Sequence, residues 1–441
     1  MSERPNIIWL IADDQGDRDL GCYGHPTIRT ENLDRIASQG VRFTSSFVTT
    51  SSCSPSRAST FTGRYPHSVR AEDLHVPIPE GVNLLPAYLK GQGYYSASVG
   101  KFHMGDNAAA QFDKVDNKIG NWQTVMEDMP DGQPFFLAVG FNDPHRGYQA
   151  GAIEDPASSS TIVVPPYLPD TDEVRGDLAM YFDEVTRLDR VVGELDNWLA
   201  EHGMTDNTVV VFWSDNGMPF PRAKTSCYDS GCRVPMIVRW PGRFPEGTVC
   251  EELFSMVDLA PSMMGLLGLD IPESIEGIDQ SSLFIKPASE GAREFVHLET
   301  NWHDLDDHVR AVRDKRFKYI RNYFPRQMLS VPLDVLESPS YKSLLAERDA
   351  GQLTREQMRL FMAPRASEEL YDTAADPWEF TDIHDDEHYR DRFEALAAEC
   401  DRWTAQTDDV DPNDRREDLM DVFSGEVRTE ILGGPGPYRQ Q

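Results

Sequence analysis

Two short apolar runs in this chain end in pairs of oxygen-bearing side chains. Residues 6–14 read Asn-Ile-Ile-Trp-Leu-Ile-Ala-Asp-Asp, and residues 208–217 read Thr-Val-Val-Val-Phe-Trp-Ser-Asp-Asn-Gly. Neither run alternates apolar with polar residues, so each strand needs cover on both faces, as in a parallel sheet between helices. The predicted fold is therefore α/β, with a large mainly parallel or mixed sheet flanked by helices over residues 1–290. In open sheets of this kind ligands collect outside the carboxyl ends of the strands. Asp13, Asp14, Asp215 and Asn216 all stand at such ends. For one pair alone, capping the helix or turn after its strand is the favoured reading. Together they offer a hard, all-oxygen donor set that suits Ca²⁺ or Mg²⁺ and not zinc.

Further strands are expected at Tyr94–Val99 and in residues 135–146, with His145 following the tip of the latter, and a helix starting at Cys53 is expected to open the small-residue stretch that follows it. Between Arg175 and Glu201 apolar residues recur every three or four positions, from Leu178, Tyr181 and Phe182 to Leu195 and Leu199, which predicts a long core helix. A second helix is expected from about Asp258 to Asp270. From residue 291 the texture changes: Phe295–Leu298 and Val309–Ile320 suggest short antiparallel strands, followed by a helix at Glu387–Thr404. Residues 291–432 are thus expected to form a smaller α+β subdomain that contributes to the substrate pocket, and residues 433–441, with Gly433-Gly-Pro-Gly-Pro, a flexible tail.

Composition limits the possible partners. A net charge of −32 argues against nucleic acid. No stretch approaches the ~20 apolar residues that cross a bilayer. Met1-Ser-Glu-Arg-Pro runs into the first strand without a signal-peptide core, so the chain as given reads as cytoplasmic, or as periplasmic or secreted if a leader was removed. The six cysteines (22, 53, 227, 232, 250 and 400) lack zinc-type spacing and are read as free thiols, Cys227 and Cys232 included.

Residues 53–57 read Cys-Ser-Pro-Ser-Arg and continue as Ala-Ser-Thr-Phe-Thr-Gly-Arg64. This pattern, with Cys53, Pro55 and Arg57 at fixed spacing, resembles the sulfatases of the alkaline phosphatase superfamily. The likeness extends in order through the Asp13–Asp14 strand, Gly100-Lys-Phe-His103, Asp143-Pro-His145, Ser214-Asp-Asn-Gly217, Arg233-Val-Pro and Glu369-Leu-Tyr-Asp-Thr-Ala-Ala-Asp-Pro-Trp-Glu379. Ser51–Ser59, Pro134-Phe-Phe-Leu, Asp143-Pro-His-Arg146 and Ser214–Pro221 look closest to the heparan N-sulfatase (sulfamidase) branch. The segment carrying Lys224 departs from the usual wording: Asp229-Ser-Gly stands where sulfatases have Glu-Gly-Gly.

The resemblance implies that Cys53 is oxidised by a formylglycine-generating maturation enzyme to an aldehyde, whose hydrate attacks sulfur. It implies one divalent cation, Ca²⁺ or alternatively Mg²⁺, held by Asp13, Asp14, Asp215, Asn216 and the modified Cys53. Arg57, Lys101 and Lys224 would bind the sulfate oxygens, and His145 would protonate the leaving atom. His103 would take a proton when sulfate is expelled. Lys101 and His103, two apart, would share a face if the backbone there is extended. At the start of its helix, position 53 would also lie where free N–H groups favour an anion.

The expected substrate is a sulfate monoester or sulfamate of a sulfated carbohydrate, such as a glycosaminoglycan or algal polysaccharide fragment. The alternatives are a formylglycine-dependent phosphodiester or phosphonate monoester hydrolase, and a non-catalytic carbohydrate-binding relative. His303 is expected to bind substrate, with Asp304 and His308 as further pocket candidates. His67, Arg70 and His75 are candidates for the mouth, whereas Ser59 and Thr60 are indistinguishable from packing residues.

Overall fold

The computed structural model of the protein describes residues 4–151, 153–409 and 418–419. The expected tail at 433–441 and the last part of the 291–432 region lie outside the described residues.

Ten strands make up the first part of the chain: β1 (Asn6–Ala12), β2 (Val41–Phe43), β3 (Ser46–Phe47), β4 (Tyr95–Gly100), β5 (Lys114–Asp116), β6 (Phe135–Gly140), β7 (Thr208–Ser214), β8 (Met236–Arg239), β9 (Thr248–Cys250) and β10 (Phe254–Ser255). Eight of them form one sheet in the order β5-β4-β6-β1-β7-β8-β2-β9, and β3 pairs with β10 apart from it. Neighbours run parallel except around β8, which is antiparallel to both β7 and β2. The apolar runs at residues 6–12 and 208–214 become adjacent central strands, and every residue in them is buried.

Successive residues point to opposite faces and feed two separate cores. Ile7, Trp9, Ile11, Val209, Val211 and Trp213 join one; Ile8, Leu10, Ala12, Val210 and Phe212 join the other. The Cys53–Thr62 helix covers the first face through Ala58 and Phe61. A 30-residue helix, Asp172–Glu201, covers the second. This long helix begins three residues before the expected Arg175 because the Thr171 side chain accepts the Val174 N–H and caps it. The second expected helix is shorter than its sequence suggests. A 3₁₀ turn at Met256–Asp258 leads into Leu259–Leu266, and the chain leaves the helix where Gly268 adopts a φ of +67°.

After residue 295 a four-stranded antiparallel sheet runs in chain order: β11 (Val296–Thr300), β12 (Val309–Arg313), β13 (Phe317–Asn322) and β14 (Glu368–Asp372). The Val309–Ile320 stretch is split into a hairpin because Asp314 Oδ1 accepts the Arg316 and Phe317 N–H groups at 2.6 Å each. One face of this sheet, carrying Val309, Ala311, Ile320 and Tyr371, continues the first core of the large sheet. The other, carrying Val312, Tyr319 and Leu370, packs on Leu396 and Cys400 of the Arg390–Gln406 helix.

Phe61 holds the Cys53 helix to the sheet, its ring 4.9 Å from Trp9 and 6.4 Å from Phe136. Phe61→Ala is expected to cost about 3–5 kcal/mol, read as a lower denaturant midpoint with an unchanged slope.

Candidate active site

The parallel ladder between β1 and β7 sets Ala12 opposite Ser214. The Asp13–Asp14 and Asp215–Asn216 pairs therefore leave the sheet side by side. The Asp215 N–H donates to Ala12 O at 3.1 Å and the Asp14 N–H to Asp215 Oδ1 at 3.1 Å. Asp14 takes a left-handed φ of 72°, a strained turn held by these contacts. The Cys53 helix starts at the same edge, with Cys53 Sγ 3.5 Å from Asp13 Oδ1 and 3.7 Å from Asp14 Oδ1. One ligand atom each from Asp13, Asp14, Cys53 and Asp215 lies within 4.8 Å of all the others, and all four residues are buried.

Cations surround these carboxylates. Arg57, one turn along the helix from Cys53, donates from Nε to Asp215 Oδ2 at 2.9 Å and from Nη1 to the Lys101 carbonyl at 2.7 Å. Its Nη2 is buried without a hydrogen-bond partner among the described residues. Lys101 Nζ donates to Asp13 Oδ2, and Lys224 Nζ to Asp14 Oδ2 at 2.8 Å and Asp334 Oδ2 at 3.1 Å. Burial alone would push Asp14 up, but Lys224, His145 and Lys101 hold it well below the usual carboxylate range. Asp215 goes the other way: burial and the neighbouring Asp13 push it up to about 6 against the pull of Arg57. Burial also drives the Cys53 thiol far above its ordinary range despite the two lysines, so the unmodified side chain is a neutral thiol and a poor nucleophile.

A hard divalent cation fits this donor set. Asn216 Nδ2 donates to Asp14 Oδ1 at 2.7 Å and Gly217 O at 2.8 Å, which leaves its buried Oδ1 without a hydrogen-bond partner among the described residues. An orphaned amide oxygen beside three carboxylates is the ligand chemistry of Ca²⁺ or Mg²⁺.

A cavity of about 560 Å³ opens beside the cluster, lined among others by Lys101, His103, Asn117, Asn142, His145 and Gln149. His103 reaches it differently from expectation. Its backbone is not extended but left-handed, at φ 58°, and its Nε2 sits 2.6 Å from His75 Nδ1. Burial, then Lys101 and His75, push its pKa well below that of free imidazole, so it is neutral. His145 sets Nδ1 against the Arg146 carbonyl and Nε2 3.7 Å from Asp14 Oδ2 and 3.5 Å from Asp334 Oδ2.

The chain matches the family model described as sulfatase over residues 5–131 and 119–269, and that of the N-sulphoglucosamine sulphohydrolase C-terminal region over residues 222–359. It is 31% identical to an ulvan-active sulfatase of Formosa agariphila, across 93% of this chain and 76% of that protein. The chain belongs to the sulfatase family. It is also 29% identical to the human N-sulphoglucosamine sulphohydrolase, across 92% of this chain and 90% of that protein. The solved structure of BT4656 in complex with its substrate D-glucosamine-2-N,6-O-disulfate shares the fold, with a TM-score of 0.71 at 19% identity over 94% of this chain and 100% of that one.

Not every candidate joins this sulfatase site. His303, expected to bind substrate, is buried beside the cluster, with Nδ1 2.8 Å from Ser52 Oγ and its pKa pushed down to about 3 by burial and then Lys224; other candidates lie away from it. His67 does not line the mouth; it lies buried between Tyr65 and Trp403 with Nδ1 on Glu299. Arg70 is exposed, and His308 packs edge-on against Tyr323. Asp304 accepts the Leu333 N–H at 2.9 Å and so anchors the segment bearing Asp334. Thr60 bonds back to Ser56 O at 3.0 Å within its own helix, and Ser59 is buried in the same helix.

Sequence reasoning missed Asp334, since Val331-Pro-Leu-Asp-Val carries no catalytic pattern. It also missed Gly140, the last residue of β6. A Cβ there would come 2.0 Å from the Lys101 carbonyl oxygen and 3.1 Å from Arg57 Nη1. Gly140→Ala is therefore expected to move both cations. Stability should fall by about 1–3 kcal/mol, and kcat/KM on the order of a hundredfold, measured by denaturant titration and steady-state sulfate release.

Proposed function

We propose that this sulfatase removes sulfate from a sulfated carbohydrate, either as a monoester or as a sulfamate, with position 53 as the precursor of its nucleophile. The observation that carries the reading is the packing of Cys53 against Asp13, Asp14 and Asp215 beside a cavity lined by cations, imidazoles and amides as well as carboxylates. Asn117, Asn142 and Gln149 on that wall suit a hydroxyl-rich substrate. The relatives named for ulvan, N-sulphoglucosamine and a glucosamine disulfate point to the same chemical class.

When bound, one divalent cation, Ca²⁺ by preference, and the formylglycine form of Cys53 supply a Lewis acid and an activated hydroxyl. Asp13, Asp14, Asp215 and Asn216 are the residues that would hold the cation. Arg57, Lys101 and Lys224 bind the sulfate oxygens, and each donor aimed at the developing charge contributes about 2.7–4 kcal/mol. His145 Nε2 delivers a proton to the leaving atom, and neutral His103 accepts one as sulfate departs. A formylglycine-generating enzyme is the partner this chemistry requires.

The decisive experiment co-expresses the chain with such an enzyme and follows both the Cys53 peptide mass and turnover. A lighter peptide, together with hydrolysis of aryl sulfate in preference to aryl phosphodiester, is the expected result. A faster phosphodiester reaction, or full conversion without sulfate release, rejects the proposal.

Calcium added at about a hundred times its dissociation constant should stabilise the fold by about 2.7 kcal/mol. The thermal shift should disappear with chelator and in Asp14→Asn.

A further inference from the structure

Asp334 is a carboxylate of the site that no strand end of the large sheet supplies. It lies in the first turn of a short helix, Leu333–Leu336, whose first N–H is tied to Asp304 Oδ2 at 2.9 Å. Its Oδ2 stands 3.1 Å from Lys224 Nζ and 3.5 Å from His145 Nε2. Its side chain is 23% exposed, whereas those of Lys224 and Asp14 are 2% and 0% exposed. Asp334 thus contacts both the proton donor and a sulfate-binding lysine while part of its side chain stays open to solvent, so a leaving group protonated by His145 Nε2 would stand within its reach. In a site built to attract an anion, a fixed negative charge there works against binding. It suits a leaving atom that ends the reaction positively charged.

We infer that Asp334 makes the site selective for N-sulfates over O-sulfates by receiving the leaving amine as its ammonium form, an inference that rests on the sulfatase reading above. For a sulfamate the balanced reaction is R–NH–SO₃⁻ + H₂O → R–NH₃⁺ + SO₄²⁻. The S–N bond breaks, nitrogen keeps its electron pair, a new S–O bond forms, and both protons of water end on nitrogen. His145 Nε2 delivers the first of them. The product cation then faces Asp334 in a charge-assisted hydrogen bond, about twice as strong as a neutral one. An O-sulfate instead gives R–OH, SO₄²⁻ and H⁺. Its neutral leaving group gains no ion pair from the same carboxylate. A role confined to steadying Lys224 would serve both substrates equally, which separates the two readings.

The test uses the formylglycine-bearing enzyme and a glucosamine carrying one N-sulfate and one 6-O-sulfate, with products identified by mass and by a primary-amine reagent. The wild type is expected to release the N-sulfate first. Asp334→Asn is expected to lower the N-over-O ratio of kcat/KM on the order of tenfold to a hundredfold, whereas Asp334→Glu retains the preference. The ratio is internal to each variant, so a partly misfolded preparation does not distort it. Release of the O-sulfate first by the wild type, or an unchanged ratio in Asp334→Asn, overturns the inference while leaving the sulfatase reading intact. Release of neither sulfate by an enzyme that still hydrolyses aryl sulfate overturns the inference alone; loss of aryl sulfate hydrolysis as well removes both.

Discussion

Like charges crowded out of water repel one another, and the active end of this fold is organised around that difficulty. Asp13, Asp14 and Asp215 are almost fully buried within a few ångströms of each other, where each charge costs several kcal/mol to desolvate. Lys101, Lys224 and Arg57 each take one of them. These cations come from three separate places in the chain: the end of β4, the loop after β7 and the Cys53 helix. The arrangement exists only when the whole sheet has assembled with β1 and β7 in register.

The parts of this design that follow from local periodicity were legible in the sequence. Unbroken apolar runs identified β1 and β7, and the three-to-four spacing after Arg175 identified the long helix. Cys53 and Arg57 could be read together because one helical turn separates them. Asp334 could not, because it reaches the site only through a loop path and a hydrogen bond from Lys224, whereas His75, a candidate from its place after the Cys53 helix, stands against His103. Nor could Gly140, whose importance is the space its missing side chain leaves for the Lys101 carbonyl. His67 misled for the opposite reason: proximity to the motif in sequence says nothing of direction, and the turn after Gly63 carries it into an aromatic cluster.

The strongly acidic surface and the anionic substrate are compatible because they act at different ranges. A net charge of −32 spreads over the whole chain, and salt screens it beyond about 8 Å at physiological ionic strength. Inside the cavity the near field is set by paired groups: Lys101 with Asp13, Arg146 with Asp177, and Arg187 with Asp143 and Glu184. Binding there depends on local geometry and little on the overall charge.

The antiparallel sheet past residue 295 lends one face to the principal core, so Val296, Leu298, Ala311 and Tyr371 lie in the same apolar mass as Trp9 and Phe61. A truncation that stopped near residue 290 would strip that mass of its lid and leave a greasy wound across the catalytic half. The two halves therefore share one core, and an engineered variant is expected to need both.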